Sequence, residues 1–429
     1  MKRFFLFTLV LFVTTSQAQF TVNAELRTRG EANHGYMNLP TENSETAFFV
    51  SQRTRLNFNY KTENFNTYIS FQDVRLWGQE DISFRTGIQS SSIGVDISQA
   101  WFDWKFAKNW GLKSGRQDWI YDDGRILINR NWNQVGLSWD AFLLHFDKED
   151  FHFHFGSSIN NTFMSFNRDD YILEENPYEE PLGYRIKYFN FIWLKFHISK
   201  YLNLSVAEYL ASYLAAETSS TYYALSTTTL HLDYHSEKWK ILANAFYQYG
   251  KTSSSDNGNA YMFTIAANYQ VNKVNMGLGF DYISGEKDGN QAFNIMYGAR
   301  LKYNGWMNYY ITPGSSKNGG LVDLYPNIKY AFHPKHCVYA TYHFFWLAQQ
   351  TDIPLGGDYS YLNNNLGGEL DISYKYKFDK SFNIQVHFGY YFATETTEFI
   401  KNIDRGTSTT PIWTSVMLTY KPELFGTGK

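Results

Sequence analysis

The segment Val274-Asn275-Met276-Gly277-Leu278-Gly279-Phe280-Asp281-Tyr282 alternates between apolar residues and polar or small residues without a break. A period of two places the two sets on opposite faces of a β-strand. The same alternation recurs in residues 151–155, 366–378 and 382–392. No segment shows the 3.6-residue period of a helix with comparable strength. The alternation therefore predicts an all-β protein.

Short and long connections alternate between the predicted strands. Eight short breaks each hold a lysine, namely Lys61, Lys108, Lys148, Lys200, Lys238, Lys273, Lys335 and Lys380. Nine longer polar stretches separate them, at 30–47, 77–94, 117–133, 156–185, 215–221, 250–259, 284–320, 350–364 and 394–410. Seventeen connections predict eighteen strands. Short periplasmic turns and long extracellular loops are typical of a transmembrane antiparallel β-barrel.

A membrane environment explains why such a sheet must close. In hydrocarbon each unpaired backbone group costs several kcal/mol, so a spanning sheet cannot keep a free edge. Aromatic residues make up 19% of the chain, and they would form the outward apolar band and its girdles. A soluble sandwich or propeller is the alternative, but it would need another reason for so many outward aromatic side chains.

Two places leave the strand assignment open. The third strand, 65–76, changes its apolar parity near Asp73, and a β-bulge around 70–73 would reconcile the two halves. The strand-like piece 293–303 is either half of a hairpin or a loop folded inward, so the strand count could change by two.

Composition and charge exclude several classes of protein. The net charge of the 429 residues is -3, which argues against a nucleic-acid binder. The single cysteine, Cys337, excludes an internal disulfide framework and a multi-cysteine metal site.

The N-terminus has the features of a secretory signal. Lys2-Arg3 is followed by the apolar run 4–13 and by Ser16-Gln17-Ala18, in the order of a signal peptide and its cleavage site. We therefore expect a signal peptide at 1–18 and a single barrel domain at 19–429, located in the outer membrane of a Gram-negative bacterium.

Arginine is concentrated near the N-terminus, where ten of the fourteen arginines precede residue 131. Strand parity predicts that one group of charged side chains on the first three strands faces the lumen: Glu25, Arg27, Arg29, Arg53, Arg55, Asp73 and Arg75. Two interpretations stay open. One is that the arginines are paired in structural salt bridges, with Glu25, Asp73, Asp103, Asp118, Asp122 and Asp123 available. The other is that some guanidinium groups stay free and line a path for anions, and both can hold at once.

Short motifs surround these arginines, at Glu25–Glu31, Ser51–Asn57, Gln72–Gly78, Gln99–Trp101, Leu112–Gln117, Tyr121–Ile126, Asn131–Gln134 and Asp140–Phe142. Together these motifs resemble the alginate export family. The resemblance implies an eighteen-stranded channel that selects an anionic uronate polysaccharide or oligosaccharide, with periplasmic secretion machinery as a possible partner. The implied selectivity residues are Arg27, Arg29, Arg53, Arg55, Arg75, Arg116, Arg125 and Arg130. Their implied pairing partners are Glu25, Asp73, Asp103, Asp122 and Asp123.

Other functions are weaker interpretations of this sequence. A diffusion porin for small anions or oligosaccharides is the first alternative, and a plugged structural or adhesive barrel is the second. No nucleophile-elbow motif appears, so we expect no enzyme and no cofactor. His152 and His154 are two apart on one face, but no third metal ligand is visible in the sequence. The lumenal Trp101 and Trp193 either stack on sugar rings or pack under an inward loop.

Overall fold

The structure of the protein is a computed structural model. It describes residues 18–78, 95–160, 186–214, 221–253, 257–299, 302–311, 313–349 and 362–427. Residues 1–17 of the expected signal peptide lie outside the described residues, and so do most of the connections 77–94 and 156–185. The division into a signal peptide and one barrel domain stays a prediction.

Within the described ranges the chain forms eighteen long strands and one short extension. The strands are β1 (Gln19–His34), β2 (Ala47–Lys61), β3 (Phe65–Leu76), β4 (Asp96–Lys105), β5 (Trp110–Gln117), β6 (Trp139–Asp147), β7 (Phe151–Ile159), β8 (Ile186–Ser199), β9 (Leu202–Leu214), β10 (Tyr222–His235), β11 (Trp239–Gly250), β12 (Gly258–Val271), β13 (Val274–Ile283), β14 (Leu321–His333), β15 (His336–Trp346), β16 (Asn365–Lys377), β17 (Phe382–Phe392), β18 (Ile412–Tyr420) and β19 (Glu423–Gly426). A helix, α1 (Glu395–Ile400), and a 3-10 turn, Pro313–Ser316, lie in the connections.

The sheet closes on itself through β1. This strand pairs with β2 along its length and with β18 from Leu26↔Tyr420 to His34↔Ile412. Strand β19 continues β18 and pairs with the start of β1 around Val22. Each remaining strand pairs antiparallel with its neighbours in sequence. The prediction of an eighteen-stranded antiparallel barrel is confirmed.

The connections follow the predicted alternation. Eight turns of two to four residues join the strands at one end, which we call the periplasmic end, and the longer connections lie at the other. In the described part of the connection between β13 and β14, the piece 293–303 forms no strand. Phe293 in this piece is buried. The piece is therefore a loop folded inward, one of the two structures that the sequence left open.

The bulge lies on a different strand from the one expected. Strand β3 pairs with β2 without interruption from Ser51↔Leu76 to Lys61↔Asn66. The register shift instead occurs in the pairing of β3 with β4. Ser70 pairs with Gln99 and Phe71 pairs with Ile97, so Ser98 is an extra residue on β4. As a consequence β3 keeps one parity to its end, and Val74 lies opposite the lumenal Arg53.

The outer surface carries the apolar set of each strand. Leu278, Phe263 and Ile265 are among the most exposed apolar side chains, and they alternate with buried polar residues such as Thr264. We call these outward apolar side chains the apolar belt. An apolar belt around a closed sheet is the architecture of a Gram-negative outer-membrane barrel, which agrees with the expected location. No helix in the described ranges has the length and apolar character needed to cross a bilayer.

The belt predicts a depth-dependent cost for a charge on the outer face. Leu278 lies midway along β13 with 54% of its side chain exposed, whereas Val271 lies at the periplasmic end of β12 with 40% exposed. We expect Leu278→Arg to lower the free energy of unfolding from lipid by about 2–4 kcal/mol, because the guanidinium enters hydrocarbon. Val271→Arg, near the interface, is the control and is expected to cost about 0–1 kcal/mol. Urea titration in vesicles measures both, and equal costs would contradict the assigned belt.

Candidate functional site

Four arginines form a cationic patch on the lumenal face of β1 and β2, and we call Arg27, Arg29, Arg53 and Arg55 the arginine wall. Arg27 lies directly opposite Arg53, and Arg55 lies opposite Glu25. Arg27, Arg29 and Arg53 are buried, whereas Leu26, just before Arg27, is exposed on the outer face. The lumenal placement of these residues and of Glu25 agrees with the strand parity. Like charges opposite each other destabilise a ladder, so this wall needs acceptors.

The connection between β5 and β6 supplies those acceptors. Residues 118–138, which we call inner loop 1, fold into the lumen and present backbone carbonyls to the wall. Arg27 donates to the carbonyl oxygens of Asn131 (2.7 Å) and Asn133 (2.8 Å). Arg29 donates to the carbonyl of Trp132 at 2.9 Å, and Arg53 donates to Oδ1 of Asn131 at 2.9 Å. The guanidinium groups thus hold the loop through charge-assisted hydrogen bonds.

Carboxylates neutralise only part of the wall. Glu25 pairs with Arg53 and also with Lys421 at 2.9 Å. Glu31 pairs with Arg29 at 2.7 Å. In the described part of the chain Arg27 and Arg55 have no carboxylate within ion-pair distance, and their acceptors are amide and carbonyl oxygens. The wall therefore keeps a net positive charge in the lumen.

A row of buried acids faces the lumen on other strands, and we call Asp281, Asp323, Glu369 and Asp371 the acidic wall. Asp281 on β13 lies directly opposite Asp323 on β14, while Glu369 and Asp371 share the lumenal face of β16. All four are fully buried. His343 on β15 contacts Asp323, with its Nδ1 2.8 Å from Oδ2. The sequence reasoning missed this wall, although each acid occupies a polar position in an alternating strand.

The acidic wall holds a second loop by its amide groups. The described residues of the connection 284–320, which we call inner loop 2, reach the wall through two backbone N–H donors. The N–H of Met307 donates to Oε1 of Glu369 at 2.7 Å, and that of Trp306 donates to Oδ2 of Asp371 at 3.1 Å. Gly305 lies so close to Glu369 that a Cβ there would be 2.5 Å from its Oε2, and its φ is +80°. The acids thus bind N–H groups, as the arginines bind carbonyls.

Two arginines join the loops. Arg125 of inner loop 1 donates two hydrogen bonds to Asp281, at 2.6 and 2.9 Å, and lies 3.4 Å from Asp123. Its guanidinium also stacks on the ring of Tyr303 in inner loop 2, 3.7 Å from the centroid. Arg130 donates to the carbonyls of Met296 (2.9 Å) and Gly298 (3.0 Å). Both arginines, expected to extend an anion path, thus connect the two inner loops.

Two other arginines of the expected path lie outside the lumen. Arg75 lies opposite the outward-facing Gln52, and it pairs with Asp73 at 2.7 Å on the outer face. The prediction that Arg75 and Asp73 face the lumen was wrong, because the bulge is in β4 and leaves β3 regular. Arg116 lies opposite the outward Ala100 and pairs with Asp140 at 2.9 Å. The carried-over lumenal role of Arg116 is therefore also corrected.

Two of the expected pairing partners contact groups other than arginine. Asp122 accepts hydrogen bonds from the indole of Trp193 (3.0 Å) and the hydroxyl of Ser205 (2.5 Å). Burial raises the pKa of Asp122, and the two hydrogen bonds act in the opposite direction. Asp103 is lumenal but lies 3.0 Å from Nε2 of His145. Neither acid therefore serves as a partner to the arginine wall.

Between the two walls the inner loops pack an aromatic core inside the barrel. Trp119 stacks against Trp139 with ring centroids 5.0 Å apart, and Tyr121 contacts Trp193 at 5.1 Å. Tyr309 of inner loop 2 stacks on Tyr391 of β17 at 4.1 Å. The lumenal Trp193 therefore packs under an inward loop, the second of the two roles weighed for it. The core narrows the lumen between the walls.

A cavity of about 360 Å³ lies between inner loop 1 and strands β6 to β10. We call it the vestibule. Asp118, Tyr121 and Asp122 of inner loop 1 form its roof, and strand residues complete it. The strand residues include Leu143, His154, Trp193, Lys195, Asn203, His231 and Asp233. This volume falls in the range of pockets that hold small molecules.

Comparisons with known proteins support the fold and correct the expected family. No protein-family model matches the chain, and no curated protein matches it. The outer membrane protein OprD of Pseudomonas aeruginosa has a TM-score of 0.59 at 11% identity, covering 94% of both chains. OccK9 (OpdG) of Pseudomonas aeruginosa has a TM-score of 0.63 at 10% identity, covering 94% of this chain and 98% of that one. A BenF-like porin of Pseudomonas fluorescens Pf-5 has a TM-score of 0.61 at 10% identity, covering 94% and 99%.

The resemblance to the alginate export family was therefore wrong. The solved structures that share this architecture are outer membrane proteins of another kind, and their identities of 10–11% concern the fold. The uronate polysaccharide and the secretion machinery implied by that family lose their basis. The porin-like fold also agrees with the expectation that the chain is not an enzyme.

The buried pair of Arg125 and Asp281 predicts that replacing Arg125 costs much more unfolding free energy than replacing an exposed arginine. Arg125→Met leaves Asp281 buried without its cation, so we expect the free energy of unfolding to fall by about 3–5 kcal/mol. Arg405→Met is the control, because Arg405 and its partner Glu395 are exposed in the connection before β18. Its expected cost is within about 1 kcal/mol. Urea unfolding in detergent measures the stability of both variants. A similar cost for both would contradict a buried ion pair between Arg125 and Asp281.

Lys401 predicts a pH effect on the same assembly. Its ammonium follows α1 and donates to the carbonyl of Tyr309 at 2.6 Å and to that of Ser315 at 3.2 Å. Burial lowers the pKa of Lys401 to about 8. Above that pH the unfolded chain holds a proton that the folded chain has lost, so this group makes stability rise with pH until the ordinary lysine pKa of about 10.4.

The effect is isolated by comparison with Lys401→Met. We expect the unfolding free energy of the wild type minus that of the variant to rise by about 1–3 kcal/mol between pH 8 and 10.5. The same difference is expected to stay flat between pH 6 and 7.5, where both states hold the proton. Urea titrations across this range measure it. A flat difference above pH 8 would show that the ammonium is not buried.

Proposed function

We propose that the protein is a narrow diffusion porin that passes small anionic solutes, such as small carboxylates, across the outer membrane. The observation that carries this proposal is the arginine wall, in which Arg27 and Arg55 have no carboxylate partner in the described part of the chain. An uncompensated guanidinium in a lumen attracts anions and matches the two oxygens of a carboxylate.

The size of the vestibule supports a small solute. Its volume of about 360 Å³ suits a single small molecule. The inner loops and their aromatic core lie where a polymer strand would have to pass, and Arg125 ties them to the acidic wall. The fold shared with a BenF-like porin is consistent with diffusion. The direction of net transport then follows the solute gradient.

Arg55 is the best arginine for a functional test. It makes hydrogen bonds to Oε1 of Gln72 (2.7 Å) and to the carbonyl of Val135 (3.3 Å), so its removal leaves no buried carboxylate unpaired. Arg53→Ala would instead leave Glu25 without its main partner. Arg116 is the matched control, because it is an arginine on the outer face of the barrel.

The experiment measures reversal potentials in planar bilayers under a salt gradient. We expect the wild type to prefer anions, and Arg55→Ala to lower the anion-to-cation permeability ratio by about two-fold or more. Arg116→Ala is expected to behave as the wild type. Conductance without anion preference, or an equal change in both variants, would overturn the proposed anion path.

A plugged barrel is the second candidate. The observation that favours it is the continuous packing of the inner loops, which joins Trp119 of one loop to the barrel wall and Tyr309 of the other to Tyr391. A wild-type barrel that is folded, as judged by its heat-dependent gel mobility, yet shows no conductance would select this candidate over the porin.

A further inference from the structure

Four histidines and two aspartates gather on the lumenal face near the periplasmic end. His145 and Asp147 lie on β6, His152 and His154 on β7, Asp103 on β4 and His197 on β8. The register places His145 opposite His154 and Asp147 opposite His152. The sequence showed only the pair on β7, and pairing with β6 brings the further ligands beside it.

Three imidazole nitrogens converge on one carboxylate. Nδ1 of His145 lies 2.7 Å from Oδ2 of Asp147. Nδ1 of His152 and Nε2 of His154 lie 2.6 and 3.1 Å from Oδ1 of the same carboxylate. The donor atoms of His145, Asp147 and His154 all lie within 4.8 Å of one another.

These separations are close to those of a metal centre. Tetrahedral ligands with bonds of about 2.0–2.1 Å to zinc stand about 3.3 Å apart. The Asp147 oxygens lie 2.7 Å from His145 Nδ1 and 3.1 Å from His154 Nε2, so these two separations must widen by about 0.2–0.6 Å to match those of zinc ligands. Rotation of Asp147, whose side chain is 43% exposed, supplies such a movement.

The second ring nitrogens of His145 and His154 also have hydrogen-bond partners. Nε2 of His145 lies 3.0 Å from Oδ1 of Asp103, and Nδ1 of His154 lies 2.9 Å from the hydroxyl oxygen of Tyr121. Metal-binding histidines characteristically use the second nitrogen in this way, because the outer partner fixes the tautomer and orients the ring. The aspartate behind His145 and the tyrosine behind His154 thus fit a second layer around a metal.

We propose that His145 Nδ1, His154 Nε2 and the Asp147 carboxylate bind a divalent transition-metal ion of the zinc class, as three protein ligands with an open fourth position. Imidazole nitrogens with one carboxylate favour Zn²⁺ or Cu²⁺ over Ca²⁺ and Mg²⁺, which prefer sets made only of oxygen. His154 lines the vestibule and the side chain of Asp147 is 43% exposed, so solvent reaches the site. The proposal does not depend on the porin function.

The test uses the full-length barrel, purified in detergent without a polyhistidine tag and stripped with EDTA. Calorimetric titration with Zn²⁺ is expected to show about one equivalent bound, and titration with Ca²⁺ or Mg²⁺ none. The double variant His145→Gln/His154→Gln is expected to lose binding. Asp103→Asn keeps all the proposed ligands and is expected to bind about 10–100-fold more weakly.

His235→Gln is the matched control, since His235 is an exposed histidine at the same end of the barrel. It is expected to bind Zn²⁺ as the wild type does. Heat-dependent gel mobility confirms that each variant is folded. Absence of Zn²⁺ binding by the folded wild type, or unchanged binding by the folded double variant, would overturn the site. An unchanged affinity in Asp103→Asn would remove the second layer from the proposal.

Discussion

Closure of the backbone hydrogen-bond ladder between β1 and β18 is the constraint on which the rest of this structure depends. A spanning sheet in hydrocarbon cannot leave a strand edge unpaired. The nine residue pairs from Leu26↔Tyr420 to His34↔Ile412 join the last long strand to the first and remove that edge. The same closure brings Lys421, just after β18, beside Glu25 of β1. Closing the sheet therefore also gives Glu25, the partner of Arg53, a second cation.

The basic and acidic side chains of the two walls bind opposite ends of the peptide group. The arginine wall binds the carbonyls of inner loop 1, and the acidic wall binds the amides of inner loop 2. Backbone groups buried inside a barrel need partners, since each orphaned group carries a desolvation cost. Charged side chains on the strands meet this need for loops that have no ladder of their own. The charges therefore have a structural role in addition to any role in transport.

Alternation was a sufficient guide where a regular strand also kept its apolar residues on one face. Arg27 and Arg53 were placed correctly because β1 and β2 pair without interruption. Arg75 was misplaced because the parity change suggested a bulge in β3, whereas the extra residue is Ser98 on the neighbouring strand. Arg116 shares its parity with Leu112, so alternation alone would have placed it outward, but the family resemblance outweighed that signal.

Other parts of the site could not be predicted from the pattern of any single strand. The acceptors of Arg27 are mostly backbone carbonyls, which carry no signature in the sequence. The ligands around Asp147 come together only when β6 and β7 are in register. The acidic wall did leave a signal, because Asp281 stands at a polar position of the segment that best predicts the fold. The acidic wall was not predicted, because the lumenal site was inferred from the arginines alone.

The uncompensated charge of the arginine wall has an electrostatic consequence. Arg27 and Arg55, which have no carboxylate partner in the described part of the chain, contribute a field that points away from β1 and β2 into the lumen. Such a field exerts a torque on a molecule with separated charges and turns its negative end toward these two strands. For the proposed anion path, the orientation of a solute, as well as its net charge, then enters the free energy of passage.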